Sequence, residues 1–177
     1  MIIVSFALNG KGQSANGVLL KLKVATYNVG HFNQGDAGGL KISDSMGKSV
    51  KEKYIQLNML SWRDWIGTQS IDILGVQEWN RYFDKDSTFH SETELLKPFY
   101  NNAYFGDEHT WIYNGIATNY RLTNIRQKYW VGDYYALMGD LKIGDKTVTV
   151  ISTHIPWQKD WHAPALDLVT WVRLLTY

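Results

Sequence analysis

Four residues of types common in catalytic sites stand at the ends of strand-like runs or within them. They are an amide, a carboxylate, a phenol and an imidazole: Asn28, Glu78, Tyr113 and His154. Side chains of these kinds bind cations, donate hydrogen bonds to anions and transfer protons. Because functional groups gather where a rigid sheet presents its loops, their joint occurrence predicts a site at one edge of a sheet.

The carboxylate of Glu78 gives the most informative local pattern. Residues 71–80, with the sequence IDILGVQEWN, begin as a short apolar run that is typical of a buried strand. Side chains alternate along a strand, so Leu74, Val76 and Glu78 are predicted to share one face. A carboxylate at that position is partly desolvated and needs a partner, of which a divalent cation is the strongest. The alternative is that Glu78 caps a turn or pairs with a nearby Lys or Arg.

The other three residues also have purely structural alternatives. Asn28 could only turn the chain, because Asn tolerates the conformations that link a strand to a loop. Tyr113 could belong to the core or to a cross-strand pair, and His154 could hydrogen-bond a loop backbone. Arg81, Lys85 and Arg121 could meet phosphate groups, and Trp79 or Trp157 could stack on bases, with solvated surface or ordinary packing as the alternative.

The sequence before Glu78 predicts a strand and a helix that determine where Glu78 lies in the sheet. Residues 22–29 read as a strand, and a helix is predicted from about Ser49 to Gln69. That helix carries an apolar stripe at helical spacing, formed by Ile55, Met59, Trp62 and Ile66. Strand, helix and strand form a crossover unit, which predicts two parallel strands with Asn28 and Glu78 at the same end.

Further elements are predicted on both sides of this unit. Runs at 2–8 and 18–24 flank a turn-rich segment and are either a hairpin or sequence that precedes the domain. Ser91 and Glu94 have capping-box spacing, and Gly144 with Asp145 favours a two-residue hairpin turn. Strands are predicted at 103–108, 111–119, 134–143 and 147–153, followed by a closing helix from Pro164 to the last residue, Tyr177. We therefore divide the chain into an extension or hairpin at 1–21 and one domain at 22–177.

Composition bounds the class of protein without identifying its partner. A chain of 177 residues with 45% hydrophobic residues can bury one sizeable core. The formal net charge of +1 gives no global argument for nucleic acid, and the lack of Cys excludes disulfides and thiolate metal sites. No apolar run is long enough for a membrane span, and residues 1–8 make a poor signal peptide, which slightly favours the cytoplasm over secretion. Eight Trp and eleven Tyr predict an aromatic core in preference to a stacking surface.

Four blocks of this sequence resemble successive blocks of the endonuclease/exonuclease/phosphatase superfamily, which has the DNase I-like fold. They are residues 22–29 (LKVATYNV), 72–78 (DILGVQE), 113–117 (YNGIA) and 152–155 (STHI). Their order and approximate spacing match, and the Asn after the first strand and the Gln-Glu pair are the most specific signals. The resemblance covers roughly residues 22–177 and implies an α+β fold, a four-layer α/β/β/α sandwich.

The resemblance also implies a chemistry. It predicts a hydrolase that cleaves phosphate esters with Mg²⁺ or Mn²⁺, with Glu78 as the main metal ligand and Asn28 helping to hold the metal and the phosphate. Tyr113 and His154 would contact the scissile phosphate and stabilise its charge. The substrate is expected to be a phosphodiester, with nucleic acid as one candidate partner. A phosphatase acting on a lipid or small phosphate ester is the first alternative.

The chain departs from the family pattern after His154. The family continues to a Gly-Asp-x-Asn block and a Ser-Asp-His block, and neither occurs here, while His162 lies too early to replace the terminal His. We therefore expect an incomplete sandwich that lacks its C-terminal strands, and an inactive fragment of a nuclease-like phosphodiester hydrolase. The second alternative is a non-catalytic binding or structural remnant of the fold.

Overall fold

The computed structural model of the chain describes residues 2–9, 19–32, 46–80, 90–107, 113–131, 134–144, 146–154 and 175–176. Within these ranges the chain forms two β-sheets, two α-helices and a short 3-10 turn. The first sheet contains β1 (Ile2–Asn9), β2 (Leu19–Asn28), β3 (Ile73–Trp79), β4 (Asn102–Phe105) and β5 (Tyr113–Thr118). The second contains β6 (Thr123–Val131), β7 (Tyr134–Ile143), β8 (Lys146–Thr153) and β9 (Leu175–Thr176). The helices are α1 (Lys48–Gly67) and α2 (Ser91–Leu95), and the 3-10 turn is Gly30–Phe32.

The first sheet has the strand order β1-β2-β3-β5-β4. β2 and β3 are parallel, with Asn28 opposite Gln77, and helix α1 provides the crossover between them. This confirms the predicted crossover unit and puts the ends of the two strands at one edge of the sheet. β1 pairs antiparallel with β2 from Ile2 opposite Thr26 to Asn9 opposite Leu19, which agrees with the hairpin alternative. The domain boundary after residue 21 stays a prediction.

The second sheet has the order β6-β7-β8-β9, and its neighbouring strands are antiparallel. Ile143 pairs with Lys146, and Gly144 has a φ of 62°, so the predicted two-residue turn is confirmed. Strand β6 was not predicted, because Ile125 and Tyr129 are exposed and polar residues separate them. An edge strand of this kind buries too little apolar surface to give an alternating pattern.

The core consists of two apolar clusters on opposite faces of the first sheet. Helix α1 lays Met59, Trp62 and Ile66 on one face, where they meet Leu74 and Val76 of β3. These contacts confirm the predicted stripe. We call the apolar residues on this face of the first sheet, which also include Phe32 and Trp79, the helix-side cluster. The inter-sheet cluster lies between the two sheets and contains Leu22, Val24, Ile73, Ile116, Leu122, Tyr135, Leu137, Leu141 and Val150. The described residues therefore form three layers, helix on sheet on sheet, of an α+β fold.

Two predicted helix features are wrong. Ser91 is the first residue of α2 and not a cap, because its hydroxyl accepts a hydrogen bond from the indole Nε1 of Trp79 at 3.0 Å. The closing helix does not reach the last residues, because Leu175 and Thr176 pair with β8 as a strand. The remainder of that predicted helix lies outside the described residues. Neither described helix is long and apolar enough to cross a membrane.

Candidate active site

Three strands from both sheets converge on the carboxylate of Glu78. β2 ends with Asn28, β3 carries Glu78 next to its last residue, and His154 directly follows β8. The amide Nδ2 of Asn28 donates a hydrogen bond to Glu78 Oε1 at 2.9 Å, and His154 Nε2 lies 3.1 Å from the same oxygen. The structure therefore brings together three of the four predicted site residues.

A β-bulge sets the direction of the Glu78 side chain. Val76 pairs with Gly115 and Trp79 pairs with Tyr113, so β3 has one more residue than β5 between these pairs. Glu78 has a φ of 52°, a left-handed conformation that costs a non-glycine residue about 1–2 kcal/mol. Bulges of this kind re-aim a side chain beside a site. Trp79 consequently joins Leu74 and Val76 in the helix-side cluster, and the prediction that Glu78 shares their face is wrong.

Asn28 is held from both ends of its amide group. Its Oδ1 accepts a hydrogen bond from the backbone N–H of Gly30 at 2.8 Å, while its Nδ2 donates to Glu78. The backbone donor fixes which end of the amide is oxygen, and so the nitrogen must face the carboxylate. Asn28 thus turns the chain, as its structural alternative predicted, and also orients Glu78.

The turn after Asn28 adds a residue to the site that sequence reasoning missed. Gly30, His31 and Phe32 have consecutive φ values of 54°, 53° and 58°, and Asn80 Nδ2 donates to the His31 carbonyl at 2.9 Å. His31 Nε2 lies 3.7 Å from Glu78 Oε2, the second oxygen of the carboxylate. The signal in the sequence was its position three residues after Asn28, in the loop at the predicted edge.

The electrostatic environment keeps the carboxylate ionised. The hydrogen bond from His154 lowers the pKa of Glu78 to about 2, aided by the bond from Asn28 and opposed by partial burial. Burial lowers the pKa of His31, although the negative charge of Glu78 works in the opposite direction. At neutral pH the site therefore presents a fixed negative charge between two imidazole rings, with 23% of the Glu78 side chain exposed.

Tyr113 occupies a different side of the first sheet. It opens β5 opposite Trp79 and packs against the helix-side cluster, which agrees with its packing alternative. Its predicted contact with a phosphate stays a prediction.

The aromatic residues below the site belong to the core. Trp79 is fully buried, and its ring lies 5.3 Å from Phe32 and 5.6 Å from Trp62, with both pairs edge to face. This agrees with ordinary packing for Trp79, and not with the alternative that it stacks on bases. Arg121 is exposed between β5 and β6, and Arg81, Lys85 and Trp157 lie outside the described residues.

The donor set can be tested against the divalent cation that the family resemblance implies. Within the described ranges, no group of three or more His, Cys, Asp or Glu side chains is arranged to hold a metal ion. The Glu78 side chain is partly exposed, and the Asn28 Oδ1 atom, which accepts one hydrogen bond from Gly30, retains a second lone pair. Mg²⁺ often binds through one or two carboxylates and takes its other ligands from water and substrate phosphate. The residues fit such an ion as one part of a larger ligand set.

Comparisons with known proteins identify a shared fold. No family model matches the chain, and no curated protein matches it. Among solved structures, the chain is similar to TDP2 from C. elegans, with 16% sequence identity and a TM-score of 0.50. The similarity covers 64% of this chain and 34% of the TDP2 chain, so this chain matches about a third of that structure. At this level of identity the likeness concerns the fold alone, and the two-sheet α+β arrangement is compatible with part of a DNase I-like fold.

Proposed function

We propose that this chain provides part of the active site of a metal-dependent phosphoesterase, most closely of the nuclease-like type that cleaves phosphodiesters. The observation that carries the proposal is the Glu78 carboxylate on β3. It is kept ionised by Asn28, at the end of β2, and by His154, which follows β8 in the second sheet. The order of the four sequence blocks supports it. So does the fold likeness to TDP2, a phosphodiesterase with the DNase I-like fold.

Each residue of the site has a proposed role. Glu78 would hold Mg²⁺ or Mn²⁺ through Oε2, and Asn28 would orient Glu78 and offer its Oδ1 to the same ion. When bound, the ion would neutralise the charge of the phosphate group. His31 would donate a hydrogen bond to a phosphate oxygen, and His154 would do so by exchanging its Nε2 contact with Glu78 Oε1 for one with the phosphate. Tyr113 would contact the substrate only if the substrate extended toward the start of β5.

The low pKa of Glu78 gives this arrangement its chemical advantage. A carboxylate that stays ionised binds a hard cation without first losing a proton. Its Oε1 is already occupied by two hydrogen bonds, which leaves Oε2 as the oxygen directed at a ligand. The protein thus pre-orients one carboxylate oxygen, and the cation need not reorganise the site.

A non-catalytic role is the alternative proposal for the isolated chain. The described residues contain no three-residue metal group, and the Gly-Asp-x-Asn and Ser-Asp-His blocks do not occur in the sequence. We propose that the chain alone binds a cation weakly and lacks the group that activates water. A phosphatase acting on a lipid or small phosphate ester would use the same residues, with different loops selecting the substrate.

Cation binding by the purified chain tests the proposal. Mn²⁺ is titrated by calorimetry into the wild type and into Glu78→Gln, Asn28→Ala and Asp64→Asn. We expect Glu78→Gln to abolish binding and Asn28→Ala to weaken it about 10- to 100-fold, because Asn28 orients the ligand. Asp64→Asn removes an exposed carboxylate on α1 and should bind like the wild type.

Equal Mn²⁺ affinity in the wild type and Glu78→Gln would refute the cation site. A plasmid-nicking assay with the same four proteins distinguishes a catalytically active chain from one that binds a cation without catalysis. Nicking that disappears in Glu78→Gln would establish a complete enzyme, whereas binding without nicking supports an incomplete one.

A further inference from the structure

A second row of polar side chains lies directly beneath the site, buried between the two sheets. It consists of Thr26, Gln77 and Ser152, and Gln77 and Ser152 have no exposed surface. Thr26 Oγ1 donates to Gln77 Oε1 at 3.3 Å, and Gln77 Nε2 donates to Ser152 Oγ at 3.0 Å. Ser152 Oγ in turn donates to the Val76 carbonyl at 3.4 Å. Both ends of the Gln77 amide are therefore satisfied, by residues 51 and 75 positions away in the chain.

The buried row has the same strand order as the site above it. Thr26 precedes Asn28 by two residues on β2, and Ser152, on β8, precedes His154 by two residues, just before the strand ends. Residues two apart on a strand point to the same face, so Thr26 and Ser152 share a face with the site residues that follow them. On β3 the step is a single residue, from Gln77 to Glu78, because the bulge turns Glu78 toward the same side.

The bond from Gln77 to Ser152 crosses from the first sheet to the second. Around it the sheets meet mainly through aliphatic side chains, including Ile73 of β3 and Val150 of β8. Apolar contacts are non-directional, so they favour burial without fixing how far one strand slides along the other. A satisfied polar network does fix that register, because displacement would leave buried polar atoms without partners. Asn114 and Tyr135 make a second polar bridge, between β5 and β7.

We propose that Gln77 is a positioning residue: the row Thr26–Gln77–Ser152 fixes β3 against β8 and thereby holds Glu78 in hydrogen-bond contact with His154. This geometry rests on contacts within the chain and stands whether or not a cation binds. Only its use in phosphate chemistry rests on the proposed function.

The proposal predicts a spectroscopic change at His154 when the row is cut. In the chain labelled with ¹⁵N-histidine, the His154 Nε2 proton bonded to Glu78 should give a slowly exchanging, downfield signal at neutral pH. Gln77→Leu keeps a similar volume and removes both hydrogen bonds of the amide. We expect it to abolish that signal and to move the ring ¹⁵N shifts toward those of His90, which is exposed.

Variants at Ser152 keep the proposal testable if Gln77→Leu does not fold. Ser152→Ala removes only the hydroxyl and should also abolish the signal, whereas Ser152→Thr retains a hydroxyl and should preserve it. The double variant Gln77→Leu/Ser152→Ala should resemble either single variant, since both cut the same bond.

Thr149→Val is the matched control. Thr149 is buried on the same strand, and its hydroxyl donates to Asp140 at 2.8 Å on the neighbouring strand of the same sheet. The Thr149→Val substitution should lower the free energy of unfolding in urea while leaving the His154 signal unchanged. A His154 signal that persists in folded Gln77→Leu or Ser152→Ala would overturn the proposal, as would its loss in Thr149→Val. Because no cation is added, these results are independent of the Mn²⁺ titration.

Discussion

At the scale of single residues, the defining feature is a carboxylate whose two oxygens have different surroundings. Glu78 Oε1 accepts hydrogen bonds from Asn28 and His154, and Oε2 faces His31 at 3.7 Å. The residue types in the sequence predicted the first two partners to be near the same edge. They did not predict His31, because its approach depends on three consecutive left-handed residues that only the folded chain displays.

The pKa of Glu78 gives a prediction about stability and pH. The folded-state pKa of about 2 lies below the ordinary value of 4.5, so the unfolded chain binds the proton more readily. The stabilisation is fully present above pH 4.5 and is lost as the pH falls from 4.5 toward 2. We expect urea unfolding of the wild type at pH 7, 5, 4 and 3 to show this loss, and Glu78→Gln to show a smaller dependence on pH.

Asp64→Asn serves as the control for that series, since it alters a carboxylate outside the site. It should retain the pH dependence of the wild type. If Glu78→Gln also retained it in full, the proposed charge interactions of Glu78 in the folded state would be wrong.

At the scale of elements, helix α1 and strand β3 each pack one apolar face into the helix-side cluster. The stripe on α1 was predictable because helical spacing is a local property of the sequence. The bulge in β3 was not, because its extra residue is not a glycine and its register is set by pairing with β5. The same pairing explains why Trp79, and not Glu78, enters the helix-side cluster.

The stripe on α1 predicts a large difference between two neighbouring substitutions. Met59 is fully buried in the helix-side cluster, while 41% of Leu57 is exposed. Met59→Ala should lower the free energy of unfolding by about 2–5 kcal/mol, because it leaves a cavity beneath β3. Leu57→Ala should change it by about 0.5 kcal/mol or less.

Urea denaturation followed by tryptophan fluorescence measures both variants against the wild type. Comparable losses at the two positions would contradict the packing of α1 on the first sheet.

At the scale of the whole molecule, β1 and the second sheet decide which surfaces of the central strands are covered. β1 covers one edge of β2, while the second sheet covers its inner face through Leu22 and Val24. The order of the strands makes β3 central, and so Glu78 is reached from β2 on one side and from β8 across the interface.

Removal of residues 1–18 tests whether β1 is an integral part of this sheet. The β2 amides that bond to β1 should lose protection from hydrogen exchange, while those that bond to β3 keep it. The exposed edge should also promote self-association, which sedimentation would detect. Amides of β7, in the second sheet, are the internal control. Unchanged protection throughout β2 would show that β1 does not form the pairing seen here.

The sequence by itself determined the features that depend on near neighbours in the chain. These are the apolar stripe of α1, the strands that end at Asn28 and near Glu78, their parallel pairing through the crossover, and the turn at Gly144. Periodicity and turn chemistry act over a few residues, and a crossover between adjacent strands has one favoured hand, so local patterns suffice for them.

The tertiary structure decided everything that joins distant segments. It brought His154 from the second sheet to the Glu78 oxygen, turned Glu78 by a bulge that β5 imposes, and stacked Thr26, Gln77 and Ser152 beneath the site. It also made a strand of Leu175 and Thr176, which helical spacing had assigned to a helix. Such contacts depend on how whole sheets pack, and no pattern within one strand or helix specifies the partner that it will meet.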